Sequence, residues 1–257
     1  MPYAIVQKSL EPPPVPALAQ AFRALPQLTD IDAATMAKDA FGILVQGLTL
    51  ADAGRLLQAM HAAGVEAEMV DHKSLPPLPP PRPCRRAEPL PERFVAYDHL
   101  GRQQAFEWPH VLLLAAGGVR CTEFKHVAKE KIVPGSYHGH RGGEPVTRTE
   151  HKDVAEEVVE MTLEIFLDVA PGRIHIEASR FHFGYLGDRL RDSRPHNYAL
   201  LVQDCLAHAP DGAVLNRGAA RLKQDPRKLM TYPNEHAFEE EVVWLLWRHF
   251  VAPRQGR

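Results

Sequence analysis

The sequence predicts an α+β protein: a small β-α-α-α-β module, then a larger antiparallel-sheet domain closed by C-terminal helices. Three observations predict it. Strand and helix periodicities alternate over residues 1–73, a proline-rich stretch occupies 74–93, and strand signals lead into helical patterns over 94–257. The expected organisation is therefore two domains and a linker, and 257 residues are enough for both to bury a core.

Tyr3 to Lys8 reads as a short strand and Pro12 to Pro16 as an irregular lead-in. Leu18, Ala21, Phe22 and Leu25 then recur at i, i+3, i+4 and i+7, one face of a helix. A second helix opens at Thr29-x-x-Asp32 and presents Ala33, Met36, Ala37, Ala40 and Phe41. A third opens at Thr49-x-x-Asp52 and presents Ala53, Leu56, Leu57 and Met60. In both openings the threonine hydroxyl accepts a free first-turn amide, and the aspartate sits where the helix dipole favours negative charge. Gly64 supplies the left-handed residue that ends the third helix, and Val65 to Val70 alternates as a half-buried strand should.

Gly47-Leu48-Thr49-x-x-Asp52-Ala53-x-x-Leu56-x-x-Met60-x-x-Ala63-Gly64-Val65-x-Ala67-Glu68 resembles the end of the ribosomal stalk protein C-terminal domain. The likeness covers residues 3–71. The same small α/β fold serves an adaptor that feeds substrates to a bacterial AAA+ protease. The resemblance implies a small interaction module. Gly42 and Val45 stand where the stalk domain's docking lysines would align.

From Ser74 to Pro91, eight of eighteen residues are proline, which predicts an extended polyproline II spacer. Its PxxP spacing also fits a ligand for an aromatic-lined groove. Beyond it, strands are expected at 94–98 and 104–108 around a turn at His99 to Gly101. A buried strand follows at 111–115, with a turn at Gly117-Gly118. Residues 125–157 read as a long polar loop. Strands resume at 158–169 and 173–185 around Ala170-Pro-Gly-Arg173, with His175 on the wet face. Asn197 is placed to cap one helix, and the last starts near Asn234 and carries Phe238, Val242, Leu245, Leu246 and Trp247. Residues 94–252 weakly resemble a pleckstrin-homology-like domain, which implies a small barrel plugged by that helix.

A net charge of -2 and pI near 6.7 argue against a nucleic-acid partner. The longest apolar run, Val111 to Val119, is too short to span a membrane, and the N-terminus lacks a secretory pattern. Three cysteines without CxxC spacing suggest neither a disulfide framework nor a cysteine zinc site, which points to the cytoplasm.

Phosphate loops, the GxSxG elbow and HExxH are missing from the sequence. His138 and His140 form an HxH pair, and with His151 as third ligand they would suit zinc or a similar divalent metal. The competing reading is a solvated loop that ligates nothing, with no cofactor. Arg180, His182, Tyr185 and Arg189 suggest a binding surface, arginines for an anionic group and aromatics for packing. Trp244 and Trp247 widen the apolar face of the last helix, as core residues or as a partner patch. Asp98 and Glu107 offer an acid–base pair whose separation nothing fixes. The function expected is a non-catalytic adaptor or regulatory protein that binds other proteins. The alternatives are a metal-dependent enzyme built on His138 and His140, or a module for anionic or phosphorylated ligands. Oligomeric state is left open.

Overall fold

The computed structural model describes residues 1–133 and 146–252, and side chains for all of these except 124–133 and 146–154. The chain is α+β. Strand β1 (Tyr3–Gln7) leads to helices α1 (Val15–Phe22) and α2 (Asp30–Asp39), strand β2 (Ile43–Leu48), helix α3 (Leu50–Ala62) and strand β3 (Ala67–Asp71). The module is thus β-α-α-β-α-β, one strand more than the sequence pattern indicated. The second helix stops at Asp39, and Ile43–Leu48 forms an antiparallel edge on β1 in a sheet ordered β2-β1-β3. Its local pattern was ambiguous because both faces of the sheet are covered, so apolar residues do not alternate cleanly. Ile5 and Leu44 face α1, α2 and α3, whereas Ala4, Val6 and Ile43 face away from those helices.

Both threonine caps form. The Asp32 amide donates to Thr29 Oγ1 at 3.2 Å while the Thr29 amide donates back to Asp32 Oδ2 at 3.1 Å; Thr49 accepts from Asp52 at 3.2 Å. Gly64, at φ +74°, lets the Val65 amide reach the Met60 carbonyl at 2.9 Å and close α3.

Segment 74–93 holds two short strands instead of a bare spacer. Strand β4 (Arg82–Pro83) runs parallel to Arg173–Glu177 and β5 (Arg86–Pro89) antiparallel to Arg93–Tyr97, and Leu75, Cys84 and Ala87 are buried. Proline allows this because β4 and β5 are both edge strands, where a missing N–H breaks no interior ladder. Strands β6 (Arg93–Tyr97) and β7 (Gln103–Glu107) complete a sheet ordered β5-β6-β7.

Strands β8 (Val111–Val133) and β9 (Val146–Leu167) form a long antiparallel pair, so the expected loop at 125–157 is largely strand. Its polar residues concealed this, because they give no apolar alternation to mark a strand. Strand β10 (Arg173–Glu177) pairs with β9. Phe181 and Phe183 are buried, but Phe181 follows one 3-10 turn and Phe183 opens another, and neither continues the strand. Helix α4 (Arg194–His208), strand β11 (Val214–Leu215), helix α5 (Arg217–Gln224), strand β12 (Thr231–Tyr232) and helix α6 (Glu235–Leu246) follow. Asn197 lies inside α4, where its side chain holds the Arg191 backbone N–H and carbonyl at 2.9 and 2.7 Å, instead of capping the helix.

Gly117 and Gly118 lie inside β8 and make no turn. A Cβ at Gly117 would sit 2.6 Å from the Tyr232 ring, so glycine is there to admit β12. Asn216 fixes the same edge: its side chain caps α5 at Ala219 N (2.8 Å) and bonds both backbone groups of Ala116, at 2.9 and 3.2 Å.

Helix α6, capped by Asn234 at 2.8 Å, explains the wide apolar face. It packs against the outer face of the N-terminal sheet through Ala4, Val6 and Ile43, and against β8 and β9 through Leu113, Ala115 and Phe166. Helices α4 and α5 cover the opposite face of β8–β10. A helix apolar on most of its circumference is one buried on most of it. Trp244 and Trp247 are accordingly core residues, 0% and 5% exposed, and not a surface patch.

Candidate functional site

Three of the residues marked as a binding surface converge. His182, Tyr185 and Arg189 line a cleft of about 680 Å³ between β5, the 3-10 turns at 183–189 and α4. The parts the sequence did not reveal are Arg86, Glu88 and Leu90 from the proline-rich stretch, and Asp204 and His208 from α4. Asp204 and His208 are four apart, so they share one helix face, and that spacing is the signal that was available.

Arg189 grips Asp204 with two parallel bonds, Nη1–Oδ1 at 2.9 Å and Nη2–Oδ2 at 2.7 Å, and the Tyr185 hydroxyl donates to the same carboxylate at 2.9 Å. Burial, the Asp204 charge and that hydrogen bond push the Tyr185 phenol far above its ordinary value, so it stays a donor. On the facing wall the Arg86 guanidinium lies 3.9 Å from the centre of the Tyr97 ring. Glu88 accepts from Arg86 at 3.4 Å and from the Tyr97 hydroxyl at 3.2 Å. The end wall is fixed by Trp108, which donates to the Leu90 carbonyl at 2.7 Å and has its ring 5.5 Å from that of His208. The His182 amide bonds the Arg85 carbonyl at 2.8 Å, pinning the turn to β5 while the imidazole remains exposed. Arginines and carboxylates in the cleft are therefore paired with each other, and they frame tyrosine, histidine and aliphatic surface.

Arg180 lies outside this cleft, mostly exposed and paired with Glu177 at 3.2 Å. His138 and His140 lie outside the described residues. His151 stands in β9 opposite Ala128, and its side chain also lies outside them. Among the described residues, no group of three or more His, Cys, Asp or Glu is placed to hold a metal ion. Asp98 is bound to Arg102 at 2.6 Å, and Glu107 stands opposite Arg93 at the far end of the β6–β7 ladder, so they form no acid–base pair.

A second polar cluster lies on the α6 side of β9 and β10. Arg173 bonds Glu164 through Nε and through Nη2 at 2.7 Å, and Glu239 at 2.8 Å; His175 Nδ1 stands 2.7 Å from Glu164 Oε1. His175 is thus half-buried among charges and not on a wet face. Burial opposes its protonation, but the Glu164 hydrogen bond and the Glu164 and Glu177 charges prevail and raise it above 6.5. Burial pushes the Cys84 thiol up to about 11 and Cys205 well above its ordinary value, so neither is an activated nucleophile.

No family model, curated protein or solved structure matches this chain. Among the described residues, no helix is long and apolar enough to cross a membrane.

Proposed function

We propose that this chain is a non-catalytic adaptor that binds another protein through the cleft between β5 and α4. The observation that carries the reading is the state of the cleft's charges. Arg189 is spent on Asp204, and Arg86 on Glu88 and Tyr97, which leaves tyrosine, arginine stems, histidine, proline and leucine as the contact surface. Tyrosine and arginine are the residues over-represented in the energetic centres of protein interfaces. An enzyme of the acid–base kind would want a phenol poised to exchange its proton, and burial and the Asp204 charge push Tyr185 far from that range. The Arg189–Asp204 pairing weighs against a dedicated phosphate site, since Arg189 has no free fork to offer. Three free cysteines, two of them buried, support a reducing compartment such as the cytoplasm.

Comparative affinity purification from the host tests this. The reading expects a protein retained by the wild-type chain and lost by both His182→Ala and Arg86→Ala. If both variants retain everything the wild type retains, the cleft is not the binding site.

A further inference from the structure

Helices α4 and α5 meet at a second, smaller cavity of about 240 Å³, walled by Pro195, Tyr198, Leu200, Leu222, Pro226 and Leu229. The Tyr198 hydroxyl is spent in the core, donating to the Thr162 carbonyl at 2.6 Å and accepting the Gly117 amide at 3.0 Å. What the tyrosine offers the cavity is therefore its ring. The polar lining is His196 and Arg227, both exposed, and unlike the cleft this cavity is lined by no carboxylate. Small-molecule sites run to roughly 300–1,000 Å³, so this one is sized for a side chain and not for a cofactor or metabolite.

The charge beside it is one-sided. Arg221, Lys223, Arg227 and Lys228 stand against Asp225 alone, four cations to one carboxylate and a local +3 in a chain of net charge -2. Asp225 is spent on its own turn, accepting the Arg227 amide at 3.0 Å and Arg227 Nε at 3.1 Å. Arg221, Lys223 and Lys228 are exposed, and none has an ion-pair partner among the described residues. Free cations beside an apolar socket are complemented by negative charge next to one large apolar side chain. Nucleic acid supplies the charge without the fit, because single-strand binders offer open aromatic faces and the one aromatic ring here, Tyr198, is 1% exposed. An anionic bilayer is met by apolar side chains that project into it, whereas these line a recess. An acidic stretch of protein supplies both parts.

We infer that the α4–α5 groove is a second docking site, which takes an acidic segment of a partner protein and seats one large apolar side chain of it in the cavity. The site goes beyond the cleft and shares no residue with it. Both draw on α4, with Pro195 to Leu200 lining the groove and Asp204 and His208 the cleft. The inference stands on the groove's own residues and holds whether or not the cleft binds a protein.

The test is selection of a random-peptide display library on the full chain, with fluorescence-anisotropy titration of the recovered peptides. A group of peptides is expected in which one large apolar residue is flanked by aspartate or glutamate. Their affinity should fall about tenfold or more for the Lys223→Glu/Lys228→Glu variant, and as much when serine replaces the apolar residue of the peptide. Arg86→Ala, in the cleft, should leave it unchanged. Both lysines are exposed and unpaired, so the reversal should keep the fold. The serine exchange leaves the protein untouched, so it reads the socket independently. Recovered peptides that ignore the reversal, or that are lost with Arg86→Ala instead, place recognition elsewhere and overturn the inference. So does a library that yields no acidic, apolar-anchored peptide. Tighter binding of oligouridylate or of phosphatidylserine vesicles, lost on the same reversal, would make the patch a nucleic-acid or lipid surface and overturn it too.

Discussion

The indole N–H of Trp244 donates to the backbone carbonyl of Gln7 at 3.0 Å, across 237 positions of sequence. With Trp244 edge-on to Phe41 at 5.3 Å, this bond ties the last helix to the first strand. Gln7 in turn accepts the Gly42 amide on its side chain at 3.0 Å, so one buried glutamine joins β1, the start of β2 and α6.

Two tryptophans three apart should therefore respond differently to the same change. Trp244→Phe leaves the Gln7 carbonyl without its donor and is expected to cost about 1–3 kcal/mol. Trp247 Nε1 has no hydrogen-bond partner among the described residues, so Trp247→Phe should stay within about 1 kcal/mol of wild type. Urea denaturation of both variants compares them, and an equal loss would contradict the assignment.

Asn216 is expected to be the most costly polar residue on β8's edge. Asn216→Ala removes the α5 cap, two bonds to Ala116 and one to the Tyr232 hydroxyl, and should destabilise by about 2–4 kcal/mol. Asn216→Asp keeps the acceptor but turns a buried carboxylate oxygen toward the Ala116 carbonyl, so its midpoint should be no higher than that of the alanine variant.

The Glu164–His175 pair predicts a pH slope. A histidine raised in the folded state stabilises fully below its unfolded value of about 6.5, and that contribution is lost as pH rises through the higher folded value. Stability should therefore decline on the alkaline side of 6.5, and the decline should shrink in His175→Gln. An NMR titration placing His175 at or below 6.5 would contradict it.

Thiol labelling reads the packing independently. Cys121 is exposed, whereas Cys84 and Cys205 are buried with raised thiol values. Alkylation at neutral pH should modify Cys121 alone, with the other two following only in denaturant. Early modification of Cys84 would mean that the proline-rich segment is not packed as described.

Much of the architecture is written locally. The capping threonines at 29 and 49 and Gly64 act within four residues and mark ends that form where expected, and the last helix starts next to Asn234 as expected. What escaped depends on distant partners. Gly117 looks like a turn until Tyr232 is laid against it, and Pro83 and Pro89 look like a spacer until the strands holding them prove to be edges. Trp244 and Trp247 could be read as surface because the second layer that buries them comes from the other end of the chain. The cleft was half legible: Tyr185 and Arg189 share one short segment, but Asp204 and Arg86, which fix its charge state, lie in α4 and β5.

Site-specific photo-crosslinking asks whether the cleft holds another protein. A benzophenone amino acid replaces Leu90, an exposed side chain that lines the cleft, and in a control replaces Asp211, exposed and outside it. A discrete crosslinked partner protein is expected from position 90 and none from 211. The same products from both positions, or none from 90 under conditions where the chain is folded, would contradict binding at the cleft.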